Sequence, residues 1–214
     1  MNLLEIDSVN FSFGNKKILS NIYLKVETGE VVRFLGRNGC GKSTLLKVLF
    51  GTAKGESQSV KINKKYEEIP YKTRKIMLAP QESLFPGFIT SRKAIGLYQS
   101  NLSKLSTDEI VANHMKMSFA EMSVGIRKHI EILIILYSPC QFVLLDEPFS
   151  FLAPVLVEKL IPIIKDISKD KGILLIDNQY RSILEVSDRL YLLRNESIYP
   201  ISDEEQLRDL GYIN

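Results

Sequence analysis

Residues 31–49 read VVRFLGRNGCGKSTLLKVL. An apolar run, Val31–Leu35, is broken only by Arg33. Three glycines follow within six residues, and then an apolar-rich stretch that stops at Gly51. This is the pattern of a strand, a turn and a helix. Gly36, Gly41, Lys42 and Ser43 fit the spacing G-x-x-x-x-G-K-[ST] in the context that the motif requires. Glycines permit positive φ and let backbone N–H groups close around phosphate oxygens. The helix start adds a positive dipole end. In such a loop Lys42 reaches the β- and γ-phosphates of a nucleotide, and the Ser43 hydroxyl ligates Mg²⁺.

A second stretch, FVLLDEPFSFLAP at 142–154, drives a buried-looking strand into two adjacent carboxylates, Asp146 and Glu147. Burying unpaired charge is costly, so adjacent acids at a strand end need a cation or a chemical task. Beside a phosphate loop, Asp146 suits Mg²⁺ coordination through its water shell. Glu147 could orient and polarise an attacking water.

Composition bounds the rest. With 214 residues, 45% of them hydrophobic, one compact unit over 1–214 is expected. The formal net charge of +3 is too mild for the footprint of a nucleic-acid binder, and the short basic runs read as solvated faces. No stretch approaches the roughly 18 apolar residues that cross a bilayer. The N-terminus lacks a signal-peptide pattern. Two cysteines, Cys40 and Cys140, make no disulfide framework. A cytosolic protein is expected, with any membrane association supplied by a partner.

LLEIDSVNFSF alternates as a strand, and NIYLKVETGEVVRFLG reads as two strands around Thr28–Gly29. SVKI and KIMLAP are short strands. QFVLLD and ILLID are continuous apolar strands, RLYLLRNESIYP a closing strand pair. PVLVEKLIPIIKDISKDKG and QYRSILEVSD read as helices, the first bent at Pro162. Apolar strands alternating with helices predict an α/β fold with a parallel sheet covered on both faces. Residues from about 88 to 138 are polar and helix-prone, like an insertion into that core.

With these segments in order, the chain resembles the ATP-binding cassette (ABC) ATPases from about residue 3 to 200. Gly36-Arg37-Asn38-Gly39-Cys40-Gly41-Lys42-Ser43-Thr44 matches the family's Walker A form. FSFGNKKIL resembles the segment whose aromatic stacks on adenine, which puts Phe13 in that role. MLAPQESLFPGF resembles the Q-loop, so Gln81 would contact Mg²⁺ and the lytic water and sense a transmembrane partner. The family signature, Leu-Ser-Gly-Gly-Gln, aligns with Met122-Ser123-Val124-Gly125-Ile126; Ser123 and Gly125 are kept, Val124 and Ile126 depart. The D-loop aspartate is replaced by Ala153, and Asn178 stands where the family has a switch histidine. His114 and His129 are read as structural.

The resemblance implies a P-loop NTPase (RecA-like) core with an N-terminal antiparallel β subdomain and an inserted α-helical subdomain. It also implies Mg-ATP as ligand and dimerisation, as homodimer or heterodimer, in which Ser123 and Gly125 of one subunit face the nucleotide of the other. Three functions stay open at this point. The first is an ATPase that drives separate transmembrane transporter subunits from the inner membrane face. The second, favoured by the departures at Val124, Ile126, Ala153 and Asn178, is a slow or non-hydrolysing regulatory module of a heteromeric complex. The third, a soluble ABC protein acting on DNA or ribosomes, lacks the coiled coils, zinc modules or second cassette that such proteins carry. Intact Glu147 favours hydrolysis, at a slow rate.

Overall fold

A computed structural model describes residues 1–177 and 187–213. In chain order the strands are β1 (Leu3–Phe13), β2 (Lys16–Glu27), β3 (Val31–Leu35), β4 (Ser57–Ile62), β5 (Lys65–Tyr66), β6 (Ile76–Ala79), β7 (Phe142–Asp146), β8 (Gly172–Ile176), β9 (Arg189–Arg194) and β10 (Ser197–Ile201). The helices are α1 (Lys42–Phe50), α2 (Ser91–Leu97), α3 (Leu102–Leu105), α4 (Glu109–His114), α5 (Val124–Leu136), α6 (Pro154–Ser168) and α7 (Glu204–Asp209).

The strands form two sheets. The first is antiparallel, in the order β2-β1-β4-β5, with β1 and β2 paired from Leu3↔Glu27 to Phe13↔Lys16. Its buried positions alternate, Leu4 and Ile6 on β1 against Ile22, Leu24 and Val26 on β2, so only one face enters the core. The second sheet runs β10-β9-β3-β8-β7-β6. Its β9, β3, β8, β7 and β6 are parallel, and β10 closes the edge as an antiparallel hairpin on β9. The β3, β7 and β8 strands are buried at every residue, which is why they read as apolar runs, interrupted only by Arg33 and ended on β7 by Asp146.

Side chains leave β7 alternately to the two faces. Phe142 and Leu144 join Leu45, Leu46 and Leu49 of α1 and the inner face of the antiparallel sheet. Val143 and Leu145 join Ile130, Leu133, Leu160 and Ile164 of α5 and α6. The sheet is thus covered on both sides, as its composition predicts. Pro162 lies inside α6 without ending it; Leu160 and Ile164 on either side are wholly buried and hold the helix to the sheet.

Between β6 and β7 lie α2–α5, the inserted helices. Each has a polar N-cap whose side chain accepts a backbone N–H: Thr90, Asn101, Asp108 and Ser123. From Lys128 to Leu136, α5 is buried at every position, because it lies between the insert and the sheet. His129 is wholly buried, its Nε2 3.0 Å from Asp108 Oδ2, a packing role rather than a solvated one. The helix expected from QYRSILEVSD, and Asn178, lie outside the described residues.

Candidate nucleotide site

The glycines of the P-loop answer different needs. At Gly41, the N-cap of α1, φ is 110°, and an added Cβ would stand 2.7 Å from Ile18 Cγ2. At Gly36 the requirement is space: a Cβ would stand 2.6 Å from Cys40 Sγ and 2.8 Å from the Leu193 carbonyl of β9. The loop is thereby seated between β2 and β9. Lys42 is only 6% exposed, and its Nζ donates to the carbonyls of Gly36 (2.7 Å) and Arg37 (3.2 Å). The ammonium is already folded back over the loop.

Asp146, which ends β7, and Glu147, which follows it, meet this loop from the far side. Ser43 Oγ donates to Asp146 Oδ1 at 3.1 Å. Burial pushes the Asp146 carboxyl above its ordinary range, and Glu147 adds to this; the Ser43 bond and the ammonium groups of Lys128 and Lys42 oppose it. Glu147 has a φ of 45°, an uncommon value for a residue with a Cβ, and its N–H donates to the Ile176 carbonyl of β8 at 2.8 Å. Its Oε2 accepts from Gln81 Nε2 at 2.8 Å and from Ser150 Oγ at 3.1 Å. The strained turn lifts the carboxylate off the strand and aims it at the Q-loop.

Phe13, Ile18, Asn38, Gly39, Gly41, Lys42, Ser43, Thr44, Gln81 and Glu147 line one cleft of about 330 Å³. Phe13 is 73% exposed at its mouth, backed by Phe11 at 5.8 Å between ring centroids, and offers a free face to a planar ligand. Gly36, Cys40 and Asp146 stand behind this lining. Ser123 and Gly125 are not part of it. They start α5 beside the loop after Glu147, where an added Cβ on Gly125 would stand 2.9 Å from the Phe151 carbonyl. Val124 is 64% exposed. Ala153 is the N-cap of α6 with no side-chain cap. Asp177, next to Asn178, is buried and accepts from the Phe149 N–H at 3.3 Å.

Three residues escaped the sequence reading. Ser150 holds Glu147, and nothing marks one serine among neighbours. Lys128 and Glu131 are buried charges on α5, and charged residues running into its apolar stretch were the available signal.

The donor set fits Mg²⁺. Among the described residues no group of three His, Cys, Asp or Glu could cage a metal. A nucleotide-bound Mg²⁺ needs only one or two protein oxygens together with phosphates and water, and the buried Asp146 carboxylate facing the Ser43 hydroxyl would supply them.

The family model described as "ABC transporter" matches residues 19–150, more than half of the chain. The Xylose/arabinose import ATP-binding protein XylG of Sulfolobus acidocaldarius is 28% identical, over 95% of this chain and 89% of that protein. The Lipopolysaccharide export system ATP-binding protein LptB of Haemophilus influenzae is 26% identical, over 97% and 93%. A solved "ATP binding subunit of ABC transporter" superposes with a TM-score of 0.87 at 21% identity, covering 98% of this chain and 94% of that one, which extends the likeness to the fold. Phosphate loop, strand-end acids, sheet order and family match agree: the chain belongs to the ABC transporter family.

Proposed function

We propose that the chain is the ATP-binding and ATP-hydrolysing subunit of a membrane transporter, and that it forms a single cassette over residues 1–214. The observation that carries this is the 3.1 Å contact between Ser43 and Asp146, which joins the P-loop to the β7 acids in one cleft. Phe13 stacks on adenine. Asn38 to Thr44 wrap the phosphates with backbone N–H groups, Gly36 and Cys40 support the loop, and Lys42 supplies charge. Ser43, Asp146 and Gln81 hold Mg²⁺, which when bound neutralises charge on phosphate oxygens. Glu147 takes the water's proton or polarises it, and Gln81 holds that carboxylate in place.

Among the described residues no helix is long and apolar enough to cross a membrane. Separate transmembrane subunits, docked near Gln81, are therefore part of the proposal, with the chain on the cytoplasmic face. Import and export relatives match alike, so the direction is set elsewhere. Because Ser123 and Gly125 stand outside the cleft that Lys42 lines, a second subunit completes each site, and the unit at work is a dimer. Turnover is slow, because Val124, Ile126, Ala153 and Asn178 weaken the elements that act across that dimer.

The test is Glu147→Gln, which keeps the shape and removes the charge. With Mg-ATP it should accumulate as a dimer on size exclusion. A variant that binds ATP and stays monomeric at every concentration contradicts the two-subunit site.

A further inference from the structure

Residues 80–85, the Q-loop that carries Gln81, are tied along their main chain to α5. Lys128 is 5% exposed, and its Nζ donates to the Pro80 carbonyl and, at 3.0 Å, to that of Gln81. One turn on, Glu131 is 3% exposed. A single oxygen, Oε1, accepts from Ser83 Oγ (2.7 Å), Leu84 N–H (3.1 Å) and Phe85 N–H (3.3 Å). Arg127 donates to the same oxygen at 3.3 Å and to the Phe85 carbonyl. All three side chains sit on α5, and two of them, Lys128 and Glu131, lie in its buried stretch, where charge persists only if paired and hydrogen-bonded. Neither Lys128 nor Glu131 lines the cleft.

A loop tied by six bonds to one helix moves with that helix. We propose that Lys128, Glu131 and Arg127 are positioning residues: they bind residues 80–85 to α5 and so hold the Gln81 amide against the Glu147 carboxylate. The helix that begins at Ser123 and the glutamine that holds Glu147 then form one rigid piece. The proposal rests on Glu147 and Gln81 serving ATP hydrolysis, as argued above.

The experiment compares the wild-type chain with Lys128→Met, Glu131→Gln and Ser83→Ala, reading ATP affinity, Mg-dependent phosphate release and hydrogen exchange at Leu84 and Phe85. Lys128→Met should lose turnover by up to about 10²-fold, the scale of a misplaced catalytic group, with ATP affinity unchanged. Glu131→Gln keeps an acceptor oxygen and should stay closer to wild type. Ser83 is exposed and lies on the loop side, so Ser83→Ala decides the matter if Lys128→Met does not fold. It should show faster exchange at Leu84 and Phe85 and a smaller loss of turnover, again without loss of affinity. Lys128→Met and Ser83→Ala proteins that hydrolyse like wild type, or that lose affinity in step with turnover, overturn the clamp alone. A wild type that neither binds nor hydrolyses ATP overturns the assignment beneath it as well.

Discussion

Replacing Lys42 by alanine separates two roles that the structure gives to one side chain. An ammonium has three donors. Two are engaged with the carbonyls of Gly36 and Arg37, which leaves the third for a phosphate oxygen without unmaking the loop. Losing one charge-assisted bond to the nucleotide costs about 1.5–3 kcal/mol. At about 1.4 kcal/mol per factor of ten, ATP should bind roughly 10- to 150-fold more weakly. The unliganded chain loses its two carbonyl bonds too, but an alanine leaves room for water to take them over. A net loss of about 1 kcal/mol then lowers the melting temperature by about 2–4 °C in a chain of this length. Calorimetric titration with Mg-ATP and thermal melts of both proteins read the two effects separately. An unchanged dissociation constant in a folded variant would refute the reasoning, because the other cation of the loop, Arg37, is turned away to the Gly211 carbonyl.

Phe13→Ala should weaken ATP by about 1–3 kcal/mol, the range for stacking a base on an aromatic ring, and leave inorganic tripolyphosphate binding unchanged; titrations with both ligands check it. For Asp108, burial raises the carboxyl pKa, but the bonds from His129, Val111 and Ile110 outweigh it and hold the group below its ordinary range. A folded-state value below the unfolded one stabilises above the unfolded pKa and is lost as pH falls through the folded value. Asp108→Asn, which can still cap α4, should therefore melt about 2–4 °C below wild type at pH 7. That gap should close below about pH 4, and melts at both pH values decide. Asn178→His, motivated by the family resemblance, should raise turnover by up to about 10²-fold at constant ATP affinity, since donors aimed at developing charge carry effects of that size. A mutant that binds equally and turns over no faster moves the limiting defect to Val124 and Ile126.

The nucleotide loop was legible because its geometry is encoded locally. Gly41 must take positive φ, Gly36 must leave room for Leu193, and Lys42 and Ser43 follow at once. The buried strands were legible because β3, β7 and β8 are apolar but for Arg33 and the terminal Asp146, and the insert because most of it is polar and helix-prone. Pairing was not legible. The β2 and β3 strands, joined by a short turn, enter different sheets, and β3 settles between β8 and β9, far along the chain. The Q-loop clamp joins residues more than forty positions apart, and no local pattern announces such a partner. Asp146 and Ser43 are 103 positions apart, yet their meeting was foreseen, because each belongs to a motif whose chemistry requires the other.

The central claim is that Glu147, held by Gln81 and Ser150 beside the P-loop, makes this chain an ATPase. The most direct measurement is phosphate release from ATP by the wild type and by Glu147→Gln, with and without Mg²⁺, alongside ATP binding by both. The account predicts slow Mg-dependent release by the wild type, none by the variant, and equal binding. Equal release by the two proteins would show that Glu147 has no part in the chemistry, and ATP bound without any release by the wild type would leave a binding module and no enzyme.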